Sequence, residues 1–152
     1  MPEWKTEMQE IKIGTGRKLK DGQDIAILSF GHVGNFAASA IRDVKAEGIN
    51  PAHYDMRFVK PLDEEMLHEV FSKYNKVITI EDGTVVGGFG SAILEFMNEH
   101  GYKADVKIMG IPDRLVEHGT PKQLYDEIGI DANGIADMLR VLSKINVAEL
   151  IK

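Results

Sequence analysis

The run Ile25-Ala26-Ile27-Leu28-Ser29-Phe30 constrains the fold more than any other segment of the chain. It has strand length, and it is apolar almost throughout instead of alternating with polar residues. A strand with one wet face alternates, so this pattern belongs to a central strand buried on both sides. Helices must therefore cover the sheet above and below.

The sequence supplies those helices at the expected spacing. Val33, Phe36, Ala37, Ala40, Ile41 and Val44 fall on one helical stripe, and Gly48 is placed to end it in a left-handed cap. Tyr54 to Phe58 reads as the next strand, followed by a helix from Asp63 whose inner face is Met66, Leu67, Val70, Phe71 and Tyr74. A third unit has the strand Val77-Ile78-Thr79-Ile80, a glycine-rich turn, and a helix burying Ile93, Phe96 and Met97. Val106 to Ile111 forms the last strand. Thr120-Pro121-Lys122-Gln123 is a capping box opening a short helix with Leu124 and Ile128 on its apolar side. Asp131 begins a final helix carrying Ile135, Met138, Leu139, Leu142 and Ile145. Ile11 to Leu19, with Gly14 and Gly16, reads as a short edge strand before the Lys20-Asp21-Gly22 turn.

This alternation predicts a three-layer α/β domain: a mainly parallel sheet of about five strands, an antiparallel edge strand, and helices on both faces. Residues 1–10 are polar with one Trp and read as a linker or arm, leaving 11–152 as a single domain. No apolar run approaches membrane length, and the N-terminal residues carry no secretory pattern. The chain has no cysteine, which removes disulfides and thiol chemistry and fits a reducing, cytoplasmic setting. Its 24 acidic and 18 basic residues give a net charge of −6, and the basic ones form no helical stripe, so nucleic acid is not an expected partner.

In such a sheet the loops after the strands gather at one edge, where ligands bind. That edge collects Gly31-His32, Arg57 to Lys60, Glu81-Asp82-Gly83 and Pro112-Asp113-Arg114, with His118 a few residues on. The turn Glu81 to Ser91 holds four glycines and invites a phosphate reading. Charge opposes it: each carboxylate about 4 Å from a phosphate charge costs roughly 1 kcal/mol in water and about 4 at an effective dielectric of 20. The turn also lacks a full G-x-G-x-x-G and a Lys after its glycines.

Other site classes fare worse. A phospho-receiver needs acids after its first strand, where this chain has Phe30-Gly31-His32. The five histidines show no zinc spacing, with His68 and His100 read as solvated. Gly90-Ser91-Ala92 is no nucleophile elbow. His118 precedes a helix and suits an orienting role or contact with a ligand or neighbouring domain.

Several segments together resemble one family. Asp55 to Asp63, Thr79 to Gly83 with Gly87-Gly88-Phe89-Gly90-Ser91, Gly110-Ile111-Pro112-Asp113, His118-Gly119-Thr120 and Gly129 to Ile135 look like the C-terminal domain of 1-deoxy-D-xylulose-5-phosphate synthases, within the wider transketolase C-terminal class. The match runs in order from about Ile11 to Leu142. The resemblance implies a thiamine diphosphate and Mg²⁺ enzyme that condenses pyruvate with glyceraldehyde 3-phosphate in isoprenoid precursor synthesis. It also implies that cofactor and catalytic residues lie in upstream domains. Such enzymes hold the diphosphate with Gly-Asp-Gly, whereas this chain has Glu81-Asp82-Gly83. No catalytic, cofactor or metal residue is therefore carried over to this chain, and by itself it is expected to be inactive.

The implied partners are the upstream thiamine-binding domains, in a homodimer. His32, Glu81, Asp82, Gly87, Gly88, Gly90, Asp113, Arg114 and His118 stand as the candidate interface or ligand edge, with the glycines letting another protein surface approach. Two alternatives stay open. One is the equivalent domain of a 2-oxo-acid dehydrogenase beta subunit or a transketolase. The other is a freestanding module binding a small anion at His32, Asp82 and Arg114.

Overall fold

The computed structural model describes residues 9–144. Its centre is a five-stranded sheet of order β1-β3-β2-β4-β5. Strands β2 (Ala26–Phe30), β3 (Ala52–Asp55), β4 (Lys76–Thr84) and β5 (Asp105–Ile111) are parallel, and β1 (Arg17–Lys20) runs antiparallel at the β3 edge. Helices α1 (Gly34–Val44), α2 (Glu64–Lys73), α3 (Phe89–Glu99), α4 (Pro121–Ile128) and α5 (Ala132–Lys144) complete three layers.

Strand β2 shows why its sequence is apolar throughout. Ile25 and Ile27 face one core with Ile78, Ile80, Ala37, Ile41, Leu139 and Leu142, under α1 and α5. Ala26 and Leu28 face the other, with Tyr54, Leu67, Val70, Ile93 and Phe96, under α2 and α3. Successive side chains thus enter opposite cores, and neither can be polar without a partner.

Local signals set most boundaries. Asp63 Oδ1 accepts from the Met66 N–H at 3.0 Å and caps α2, while its Oδ2 accepts from Gly16 N–H at 2.7 Å and ties the edge segment down. Thr120 and Gln123 form the expected reciprocal box at the start of α4. Helix α1 continues through a short 3₁₀ turn before Gly48 ends it at φ +80°.

Several boundaries differ from expectation. The edge strand is confined to Arg17–Lys20, because Gly14 turns the chain at φ +78° and Gly16 is held by Asp63. Strand β3 starts earlier and ends at Asp55, because Arg57 takes a left-handed φ of +57° that breaks strand geometry. Strand β4 runs past Ile80 to Thr84, so the acidic pair lies in the strand and not in the turn. Helix α5 starts at Ala132, after Asp131 Oδ1 accepts from Gly134 N–H at 2.8 Å. Nearly all of the expected 1–10 arm, and Ile145, lie outside the described residues.

The order places the reversal of chain winding between β2 and β4. Strand β3 follows β2 on one side, and β4 then returns to the other. The crevice beyond the carboxyl ends of β2 and β4 is where open α/β sheets bind ligands. His32 and Asp82 lie there.

Candidate functional site

The glycine turn is closed by its own strand. Glu81 is buried to 4% exposure, and its Oε2 accepts from Phe89 N–H at 2.8 Å while Oε1 accepts from Gly90 N–H at 2.9 Å. A carboxylate therefore already occupies the anion position at the start of α3, where unsatisfied N–H groups and the helix dipole favour negative charge. The glycines serve that closure. A Cβ on Gly90 would stand 2.5 Å from Ile108 Cγ2 and 2.7 Å from Thr79 Oγ1, and one on Gly88 would strike the Thr84 carbonyl and the Glu81 carboxylate. Gly87 supplies the positive φ of +72°.

This corrects part of the expected edge. Glu81 and Gly90 are buried inside the chain and present no surface, and Gly88 admits this chain's own backbone instead of a partner's. Nor does the turn fit a thiamine diphosphate group. The N–H pair that a diphosphate would need is bonded to Glu81, and the Asp82 carboxylate is engaged elsewhere.

Asp82 belongs to a small polar cluster in the crevice. Tyr125 on α4 donates its hydroxyl to Asp82 Oδ2 at 2.8 Å, His32 Nε2 lies 3.1 Å from that hydroxyl, and His32 Nε2 stands 3.7 Å from Asp82. Hydrogen bonding to Asp82 holds the Tyr125 phenol above its ordinary pKa. Beside the cluster is a cavity of about 230 Å³, walled by Ile111, Val116, Leu124 and Ile128 with Asp82 and Tyr125 at its polar side. The cluster fastens α4 across the β2–α1 turn. Sequence reasoning missed Tyr125; its signal was an aromatic one residue from Leu124 and three before Ile128 on a strongly amphipathic helix.

The remaining candidates disperse. Arg114 pairs with Glu127 at 3.2 Å, and Asp113 and His118 are exposed on the loop between β5 and α4. The structure thus brings His32 and Asp82 together and leaves Asp113 and His118 outside the cluster. Two apolar side chains stand out of the same edge, Val86 at 62% and Leu115 at 91% exposure. His68 and His100 are exposed but not simply solvated, because both rings pack on Phe96 with centroids 5.0 and 4.2 Å away. Among the described residues no cluster of metal-ligating side chains forms, and no helix is long and apolar enough to cross a membrane.

Comparison with known proteins decides the family. The family described as transketolase, C-terminal domain, matches residues 14–135. The chain belongs to the transketolase C-terminal domain family. A solved split-gene transketolase, described as an inactive beta4 tetramer, superposes on this transketolase-type domain with a TM-score of 0.82 at 31% identity, over 93% of this chain and 46% of its own. The 1-deoxy-D-xylulose-5-phosphate synthase of Cytophaga hutchinsonii is 56% identical over 145 residues, which is 95% of this chain and 23% of that protein. The synthase of Geobacillus thermodenitrificans is 43% identical over 137 residues, 90% of this chain and 22% of its own length. The domain thus spans under a quarter of the curated relatives it matches.

Proposed function

We propose that this chain is the C-terminal domain of a thiamine diphosphate-dependent 1-deoxy-D-xylulose-5-phosphate synthase acting on pyruvate and glyceraldehyde 3-phosphate in the cytoplasm. Its part is assembly and domain packing within a homodimer, with the cofactor and the chemistry held by upstream domains. The observation that carries this reading is the 56% identity over 95% of this chain to a synthase of which it spans 23%. The self-closed turn supports it, since Glu81 leaves the α3 N-terminus no room for a diphosphate. Exposed Val86 and Leu115 at the carboxyl edge suit contact with another domain, with His32, Asp82, Gly87, Asp113, Arg114 and His118 around them.

Two measurements test the proposal. Titration calorimetry of the chain with thiamine diphosphate and Mg²⁺ is expected to show no binding, and micromolar affinity would overturn it. Co-expression with the preceding three-quarters of the Cytophaga synthase is expected to give a complex with synthase activity that neither piece has alone. Failure of the two pieces to associate would remove the assembly role.

A further inference from the structure

A second concave site lies on the opposite side of the molecule from the glycine turn. Its cavity, about 390 Å³, sits between the end of β1, residues 38–45 of α1 and the turn that follows it, and the start of β3. Lys20, Arg42 and Lys45 line it together with Asn50, above an apolar wall formed by Ala38 and Ile41. None of the lining residues carries a carboxylate.

The charges here are unmatched. Elsewhere Lys18, Arg17, Lys107, Arg114 and Arg140 each pair with an acid. Among the described residues no carboxylate pairs with Lys20, Arg42 or Lys45. Lys20 Nζ donates to the Asp21 carbonyl at 2.9 Å, Asn50 Oδ1 at 2.5 Å and the Pro51 carbonyl at 3.0 Å, all neutral acceptors. These bonds hold the ammonium in place without neutralising it. The nearby Asp21 carboxylate is taken by Lys18 at 3.2 Å. Arg42 spends one N–H on Ser39 Oγ, and Lys45 follows three residues on, at the start of the 3₁₀ turn after α1.

The remaining polar group in the wall is His53, 2% exposed. Its Nε2 is hydrogen-bonded to Ser29 Oγ at 2.9 Å, and that hydroxyl also lies 3.3 Å from the Tyr54 carbonyl oxygen. Burial pushes the His53 pKa down to about 4, with Asp55 opposing and Lys20 adding to the fall, so the ring contributes no charge. Burial, and after it the Lys45 charge, lower the pKa of Lys20, with the Asp21 carboxylate opposing them. A chain of net charge −6 thus keeps three cations around one cavity with no acid among them.

We propose that this cavity binds a small organic phosphate, its dianion held by Arg42 and Lys45 in the field of Lys20, and its short carbon chain laid on Ala38 and Ile41. Several cationic donors around one concavity favour a compact multivalent anion over a diffuse one. The site is independent of the assembly role and stands or falls separately.

Titration of the ¹⁵N-labelled chain with butyl phosphate and with inorganic phosphate, at constant ionic strength in chloride, tests the inference. Saturable amide shifts are expected at Lys20, Ala38 to Lys45, Asn50 and His53, with a Kd of about 1 mM or tighter for butyl phosphate. Inorganic phosphate, lacking the carbon chain, is expected to bind about threefold more weakly. Arg42→Gln with Lys45→Gln is expected to weaken binding at least about tenfold. Both side chains are exposed, and an unchanged spectrum elsewhere reports intact folding. Single Lys45→Gln gives the same reading with about a threefold loss. Shifts that fail to saturate, that spread over all basic surface, or that persist in the double variant would overturn the assignment.

Discussion

The glycine turn after β4 and the basic cavity beside β1 are opposites in how they handle charge. In the turn, helix N–H groups that could hold an anion already hold one, because Glu81 comes up from the adjoining strand to fill the position. In the cavity, Lys20, Arg42 and Lys45 line one wall together with no carboxylate among them. The turn has the motif and no vacancy; the cavity has the vacancy and no motif. A ligand site is defined by unmatched potential, and local sequence pattern alone does not report whether a potential is matched.

The largest test of this contrast is Glu81→Ala. It leaves two buried N–H donors at the start of α3 without acceptors and removes the charge that the helix dipole favours. A loss of about 3–5 kcal/mol in unfolding free energy is expected, read from the midpoint and slope of a urea transition. A loss below about 1 kcal/mol would mean that solvent or another group satisfies the N–H pair, and the turn would then no longer count as self-neutralised.

The cavity makes its own pH signature. With a folded pKa of about 4 against an ordinary value of 6.5, His53 is neutral in both states above that higher value. As pH falls from 6.5 to about 4, the unfolded chain takes up a proton that the folded chain refuses, so stability falls. The expected cost from this residue is about 3 kcal/mol at pH 4, with only about 0.4 kcal/mol more lost from it at lower pH. Denaturation of His53→Gln over the same range is expected to lack that component. An unchanged slope would place His53 in a wetter setting than the cavity wall requires.

The fold was far more legible than the sites, for physical reasons. Strand β2, the Gly48 stop and the Thr120 box are local patterns, complete within a few residues. Strand β4 was read short because Glu81 looks polar, although its stabilising partners lie 8 and 9 residues further on. Strand β3 was read too far because Arg57 gives no sign that it turns left-handed. Tyr125 reaches Asp82 across 43 positions, and the basic cavity joins side chains from β1, α1 and the entry to β3. The family resemblance located the domain and implied a parent enzyme, but it placed the glycines at an outside interface where the structure packs Gly88 and Gly90 against their own chain.

The smallest effect separates the two regions most finely, because it changes sign with the solution. Lys45→Gln removes a charge that faces Lys20 across the cavity without a counterion. In a phosphate-free, low-salt buffer the variant is expected to be more stable than the parent by about 0.3 kcal/mol, and the gain should vanish near 1 M chloride as screening sets in. With butyl phosphate at about 100 times its Kd, the parent gains about 2.7 kcal/mol from binding, whereas the weaker-binding variant gains less, so the order reverses. Thermal melts of both proteins in the two buffers provide the reading. A variant less stable than the parent in every buffer would mean that the three cations do not repel one another as the cavity geometry demands.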